Sequence, residues 1–442
     1  MSLWSRARMP GPRERTEAPA GGSGWALSPA VTAAAIVAAV CLVAAFVLSR
    51  VELMLVAAPL LLTAVLGWSS RPESAAARTR VTIAGDDPDG RVGVEAVAEA
   101  DGRVDGVHLR IHRADGRPED AVVTPREAAR LRFRIGVSHS GPQRIMTLAA
   151  RGIGPDAAWT GDPGLPAVAE RVVRPASQRV RSLPLPARLL GLTGGHVSAR
   201  PGDGGEFRDI DRFRPGDRLR RIDWKATARL AQRPGELYVR RTTATSDAAV
   251  QLVLDARDDV PGAVAGWAAP YQRPGATSLD VAREAAVSLA GAYAAASDRV
   301  GFDDLSDARR ALPPRAGARH LHRVLRAVEL TTPHGSATER ARAPRLAQGA
   351  VVFVMSTFLD DQAMRLALTW RAAGHRVVAV DVLPPRAVDE LPARERLALR
   401  IVDLERRLRL DRLRAAGAEL LEWASPERDA MLRRLATPGR RG

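Results

Sequence analysis

Charge is absent from Pro29 to Leu48, where the chain reads PAVTAAAIVAAVCLVAAFVL. At 1.5 Å per residue a helix of this length spans about 30 Å, the thickness of a bilayer's hydrocarbon core. A second apolar stretch, Val51 to Trp68, follows after only Ser49 and Arg50. Glu52 stands near its start, where it can reach headgroups or Arg50, and Pro59 inside it is tolerable where a neighbouring helix satisfies the freed backbone. Trp68 closes it with an interfacial residue. The pattern predicts a transmembrane helical hairpin over 28–69, behind a Pro-, Gly- and Arg-rich stretch, 1–27, that lacks apolar periodicity and reads as a disordered cytoplasmic tail.

From Arg80 the period shortens. VGVEAVAE, GVHLRIH, RLRFRIGV, RIMTLAA and ERVVRP place apolar residues at every second position, separated by turn clusters such as Asp86-Asp87-Pro88-Asp89-Gly90 and Ala114-Asp115-Gly116-Arg117-Pro118. A small antiparallel β-sandwich over 78–175 is expected. A linker, 176–247, comes next. From Ala248 strands and helices alternate: AVQLVLD, a helix over Ser278–Ser297, a strand over Arg299–Phe302, a helix over His320–Leu330, the fully apolar AVVFVMS, a helix over Gln362–Ala373 stopped by Gly374, RVVAVDVL, an Arg/Leu-rich helix over 395–416, AELLEW and a last helix over Glu427–Leu435. This rhythm predicts a doubly wound, mostly parallel Rossmann-type sheet over 248–442. The fold class is therefore α/β plus β, with 311–317 and 331–348 as surface loops.

Composition changes the picture in three places. The 442 residues hold 66 basic and 50 acidic side chains, for a net charge of +16. Lys225 is the only lysine, so the excess reads as an arginine-for-lysine bias, and specific nucleic-acid binding is not expected from net charge alone. A nucleic-acid-associated membrane protein stays as an alternative. The single Cys41 excludes an intramolecular disulfide and cysteine-based zinc modules. The distribution of arginine sets a topology: Arg6, Arg8, Arg13 and Arg15 precede the first span and Arg71, Arg78 and Arg80 follow the second, against Arg50 alone in the turn. Both termini are expected in the cytoplasm, with the protein in the cell membrane.

Candidate chemistry is densest at FRDIDRFRPGDRLRRIDWKATARLAQRPGELYVRR, Phe207 to Arg241. Pro215-Gly216 suits a type II turn, after which Asp217 is placed to cap a short helix. Acids and arginines are interleaved, which suits charge-assisted hydrogen bonding between packed elements or a partner-docking surface rather than a phosphate-binding patch. Trp224 supplies a large apolar anchor. His108 and His112 alternate with Val107, Leu109 and Ile111, so they lie on the outer face of a strand about 13 Å apart, too far to share an ion. HExxH, GxxxxGK[ST] and GxSxG are absent from the sequence, and no nucleophile–base–orienter set is visible, so the protein is expected not to be an enzyme.

FxPGD-x3-RIDWKATAR followed by LYVR resembles the signature of the bacterial domain-of-unknown-function 58 family, at Phe213, Gly216, Asp217, Arg221, Ile222, Asp223, Trp224, Lys225, Ala228 and Arg229. VGFDDL with ALPPRAGARHL, and VVFVMSTFLDD with HRVVAVDVL, extend the likeness. The resemblance implies an N-terminal transmembrane hairpin, a β-rich segment, the signature and a von Willebrand factor A-like domain. It implies a MoxR-type AAA+ ATPase as partner and a role in assembling or maturing other complexes, with no established activity. Von Willebrand factor A domains hold Mg²⁺ through an Asp-x-Ser-x-Ser run after the first strand, with a Thr and an Asp from later loops. Here Asp255 matches, Arg257 and Asp259 replace the serines, Thr277 is the candidate loop threonine, and Ser356-Thr357 stands where Ser-Asp is common. A guanidinium there repels the cation or neutralises the carboxylates. No cofactor is expected, and a metal-dependent binding or hydrolytic domain on Asp255, Asp258 and Asp259 is the alternative. The Arg-rich helix at 394–414 carries Leu397, Ile401, Leu404, Leu408 and Leu413 as a core-side stripe; the other reading lays it on anionic lipid. The expected function is that of a membrane-anchored, non-enzymatic assembly protein whose client the sequence does not name.

Overall fold

A computed structural model describes residues 15–17, 24–72, 77–86, 91–100, 104–124, 129–186, 189, 196–267, 275–307, 311–333, 343–344, 346, 348–387 and 391–437, and side chains there except at 15–17, 86, 197–206, 244 and 266. The chain divides into two compact units: 1–138 with 143–171, and 139–142 with 172–442.

The first unit opens with strands β1 (Arg15–Glu17) and β2 (Trp25–Leu27), then helices α1 (Pro29–Leu48) and α2 (Glu52–Ser69). Ser28 caps α1, its hydroxyl oxygen accepting from the Val31 amide, and Pro29 occupies the first turn where its missing N–H costs nothing. Ser49 ends α1 in the left-handed region (φ 51°), which turns the chain tightly into α2. Both helices are long and apolar enough to cross a membrane. They are not core helices: α1 buries only Val31, Ala38 and Ala45, and α2 only Ala57 and Gly67.

The strands that follow are β3 (Ala77–Asp86), β4 (Val92–Ala100), β5 (Gly106–Arg113), β6 (Glu119–Val123), β7 (Ala129–Ile135), β8 (Gly141–Ile153), β9 (Trp159–Gly161) and β10 (Ala167–Val173). They form an antiparallel sheet in the order β1-β3-β4-β7 and a second in the order β2-β9-β8-β5-β6, with β10 on β8. Alternation decides which side chains meet: Val92, Val94, Ala96 and Ala98 from one sheet and Val107, Leu109, Ile111, Met146 and Leu148 from the other share one apolar core. His108 and His112 lie on the outer side of β5, where His108 contacts Arg151 and Asp120. The tail reading of 1–27 needs correction at its described residues. Arg15–Glu17 pairs with β3, and Trp25–Leu27 pairs with β9 while Trp25 packs on Val31, Ala158 and Trp159. Residues 1–14 and 18–23 lie outside the described residues.

The second unit begins with an extended segment. Gln178 donates its amide to Ser288, Pro184 accepts from the Tyr293 hydroxyl, and Leu185 accepts from Arg376. The stretch expected as a linker then forms a two-stranded antiparallel arm, β11 (His196–Arg212) and β12 (Tyr238–Ser246), with helix α3 (Trp224–Leu230) between them. The sheet domain follows: β13 (Ala249–Leu254), α4 (Ser278–Ala295), β14 (Arg299–Asp304), β15 (Leu312–Arg315), α5 (Ala318–Glu329), β16 (Val351–Ser356), α6 (Gln362–Ala372), β17 (Arg376–Asp381), α7 (Ala393–Ala415), β18 (Glu419–Glu422) and α8 (Arg428–Ala436). The order is β15-β14-β13-β16-β17-β18, all parallel except the edge strand β15. Leu252, Leu254, Phe353 and Met355 pack on α4, α5 and α8, while Val253, Val352 and Val354 pack on α6 and α7. Burial on both faces is why AVQLVL and VVFVMS carry no polar alternation beyond Gln251 and Ser356.

Two loop and helix readings change here. Residues 312–315, expected as a loop, pair antiparallel with β14 despite two prolines, as an edge position allows; most of 331–348 lies outside the described residues. Of the expected core-side stripe on α7 only Leu413 is buried; the helix packs through Leu399, Arg406, Leu410 and Leu413 instead. Buried Arg406 decides the orientation, its guanidinium donating to the Thr357 carbonyl (2.7 Å) and pairing with Asp381.

Gly301 marks the tightest backbone approach in this sheet. A Cβ there would lie 2.8 Å from both the Leu312 carbonyl oxygen and the Pro314 nitrogen. Gly301→Ala is expected to lower stability by about 1–2 kcal/mol through overpacking against β15, read as a lower melting temperature of the purified full chain.

Candidate functional site

Two places gather candidate chemistry, the tip of the β11/β12 arm and the carboxyl ends of β13 and β16. At the tip, Arg214-Pro215-Gly216-Asp217 forms the expected turn: the Asp217 amide donates to the Arg214 carbonyl, and Gly216 sits at φ 104°, a conformation that disfavours any side chain. Asp217 does not cap a helix. Its carboxylate accepts from the Arg214 amide (2.9 Å) and stands 3.6 Å from Arg241, inside the turn. The capping falls to Asp223, whose Oδ1 accepts from the Ala226 amide (2.9 Å) at the start of α3. Thr227 and Tyr238 tie α3 back to β12, the Tyr238 amide donating to the Thr227 hydroxyl oxygen (2.9 Å). Phe213 donates its amide to Leu237, and Ile222 bridges to Val239.

The charges pair within the arm. Asp211 accepts from the Arg212 amide and from Arg241, with Arg214 at 3.4 Å. The Arg212 amide, reinforced by Arg241 and Arg214, holds the Asp211 carboxyl below its usual value. Arg212 faces Glu236 at 3.7 Å, and Arg240 lies over the Phe207 ring at 5.2 Å. Trp224, expected as an anchor, is instead 69% exposed, as are Leu219 (70%) and Leu230 (49%). The reason is geometric: α3 has two turns, and its inward positions go to Ala226 and Thr227. Lys225, Ala228 and Arg229 are exposed beside Trp224, and Arg221 is half-buried behind them.

At the sheet, Asp255 follows β13 and Ser356 ends β16. These neighbouring strands leave in opposite directions, at the switch point where doubly wound sheets place ligands. The Asp255 side chain is 3% exposed. It accepts from Ser356 Oγ (2.8 Å) and, in a two-pronged contact, from Arg257 Nε and Nη2 (2.8 Å each). The other side of the same guanidinium holds Asp360, and Asp360 in turn accepts from the Gln362 amide (3.0 Å) at the start of α6. Burial works against the charge on Arg257, but the hydrogen bonds and charges of Asp255 and Asp360 outweigh it and raise its pKa. Asp258 is pushed up, chiefly by burial and then by Asp255 and Asp360. Asp360 was not singled out from sequence; its signal was an acid in the loop after the second switch-point strand.

The other metal candidates have separate duties. Asp259 accepts from the Leu279 amide (3.2 Å). Thr277 caps α4 in a reciprocal box with Asp280. Among the described residues no group of three or more His, Cys, Asp or Glu side chains is placed to hold a metal ion. The residues present do not fit Mg²⁺: the position beside Asp255 and Ser356 is filled by the Arg257 guanidinium, which is fixed in charge.

Both sites lie inside the stretch of the chain that matches a known family: the family described as protein of unknown function DUF58 matches residues 209–421. Uncharacterized proteins of Mycobacterium bovis and Mycobacterium tuberculosis are each 31% identical over 228 residues, covering 49% of this chain and 67% of theirs. No solved structure matches the chain.

Proposed function

The chain belongs to the DUF58 family of proteins of unknown function, and within it we propose a membrane-anchored, non-enzymatic interaction protein that docks a MoxR-type AAA+ ATPase or its client through the tip of the β11/β12 arm. The observation that carries this reading is the exposed Trp224, flanked by Leu219, Leu230, Lys225 and Arg229, on a tip whose acids are engaged in internal pairs. An exposed tryptophan beside basic side chains is the composition of an interaction hot spot. Pairing of Asp211, Asp217 and Glu236 with arginines of the same arm supports a shaped protein-docking surface rather than a uniform phosphate-binding patch.

Anchoring is supported by the two apolar helices and their small buried share, and the arginines that flank the two helices support a reading with both termini in the cytoplasm. The von Willebrand factor A-like reading is supported by the strand order, which counted from β13 runs 3-2-1-4-5-6. The Arg257 pair with Asp255 supports a docking role independent of a bound cation.

Trp224→Ala is expected to leave the fold and its melting temperature unchanged, since the ring is mostly exposed, and to cut co-purification of a MoxR-type ATPase with the full chain in mild detergent at least tenfold. Wild-type protein that retains neither ATPase nor client, or a Trp224→Ala protein that retains them equally, overturns the reading. A reporter fused to the C-terminus tests the topology separately.

A further inference from the structure

We propose that the outward face of α7 is a docking seam for a single helix of a partner protein, one whose apolar residues repeat in heptads and whose flanks are acidic. Leu397, Ile401, Leu404 and Leu408 follow one another at intervals of four, three and four, the alternation of a coiled-coil seam. At about 100° per residue they fall within an arc of about 60° and run about 17 Å along the helix. They are 52–59% exposed. The residues that α7 buries, Leu399, Arg406, Leu410 and Leu413, lie on the diametrically opposite side. The helix is thus apolar on two faces, and among the described residues only one of them is used by the sheet domain that carries it. Four aligned aliphatic side chains are a patch, unlike the scattered single ones of an ordinary surface.

Charge selects the occupant. Arg400 and Arg407 border the seam on one side and Arg394 and Arg412 on the other, all exposed. The acids nearest the seam, Glu405 and Asp411, are held by Arg409 and Arg414. The border facing a partner is therefore basic. A second copy of this chain would set arginines against arginines, which disfavours self-pairing. A bilayer surface is matched by a broad apolar face, whereas a narrow stripe is the form of a helix-to-helix seam. Glutamates or aspartates at the flanking positions of an incoming helix would meet these arginines and fix its register. This seam is separate in sequence from the arm tip, so its test does not depend on the reading of Trp224.

The test uses the full chain in detergent and a labelled 21-residue synthetic peptide with Leu and Ile at the a and d positions and Glu at e and g, against a matched peptide carrying Lys at e and g. The Glu peptide is expected to bind at least tenfold tighter, and more weakly as salt rises. Leu404→Glu should abolish that binding without changing the melting temperature, and the pair Arg400→Glu and Arg407→Glu should reverse the preference towards the Lys peptide. Equal binding of both peptides, or of neither, overturns the proposal. So does a dimer that Leu404→Glu dissolves, or protection of α7 from hydrogen exchange by nanodiscs containing phosphatidylserine but not by phosphatidylcholine alone.

Discussion

Replacing Arg257 with alanine is expected to destabilise the full chain by about 3–5 kcal/mol, the range for breaking one side of a buried ion pair. Asp255 would keep Ser356 and the residue-257 amide as donors, but its charge would stay buried with no cation against it. Asp360 and Asp258 would then act on it as like charges, since Asp258 already feels both of them. Asp360 is 44% exposed on its side chain, so solvent screens it, and Asp360→Asn is expected to cost under about 1 kcal/mol. Adding Asp255→Asn to Arg257→Ala removes the stranded charge and should recover part of the loss. Resistance of the detergent-purified protein to proteolysis across a urea series measures all four proteins. A loss for Arg257→Ala no larger than that for Asp360→Asn would show that the guanidinium does not hold these loops together.

The elements legible in the sequence are those whose physics is local. The first apolar run has its bounds at Pro29 and Leu48, and α1 has those ends, because hydrophobic length, Ser28 and Pro29 all act within a few residues. AVVFVMS and the alternation of VGVEAVAE likewise gave β16 and β4, since side-chain period follows directly from backbone geometry. What escaped depends on distant partners. Arg15–Glu17 becomes a strand only because β3 lies beside it, and Leu312–Arg315 only because β14 does. The α7 stripe shows the limit from the other side. Periodicity located an apolar face but could not say which of two faces the sheet would take, and Arg406, reaching Thr357 and Asp381, took the other one.

The candidate sites divide in the same way. Pro215-Gly216 and the Asp255–Arg257 opposition were readable, because turn geometry and charge are properties of adjacent residues. The exposure of Trp224 was not, because it follows from how Thr227 and Ala226 dock α3 on β12. Asp360 is visible in the sequence only as an acid after VVFVMS, and its pairing with Arg257, 103 positions away in the chain, needed the fold.

Acid should weaken the second unit through Asp280. This carboxylate, 11% exposed, accepts from the Thr277 amide (3.0 Å) and hydroxyl (3.1 Å), from the Ser140 amide (2.6 Å) and hydroxyl (2.7 Å), and contacts His139 (2.8 Å). Burial alone would raise its pKa; hydrogen bonds from His139, Thr277 and Ser140 outweigh burial and bring it down to about 2. The folded value lies below the unfolded one, so the contribution is complete above about pH 4 and is lost as pH falls towards 2. The shift corresponds to about 2 kcal/mol. Asp280→Asn cannot ionise, so the stability it retains should change less between pH 5 and pH 2.5 than that of the unaltered chain, by about that amount. At neutral pH the same substitution should cost on the order of 3 kcal/mol, because several donors lose a charged acceptor and buried Arg283, 3.6 Å away, loses its nearest anion. Two urea midpoints per protein, one at each pH, decide it: parallel losses in both chains would mean that Asp280 does not set the acid limit.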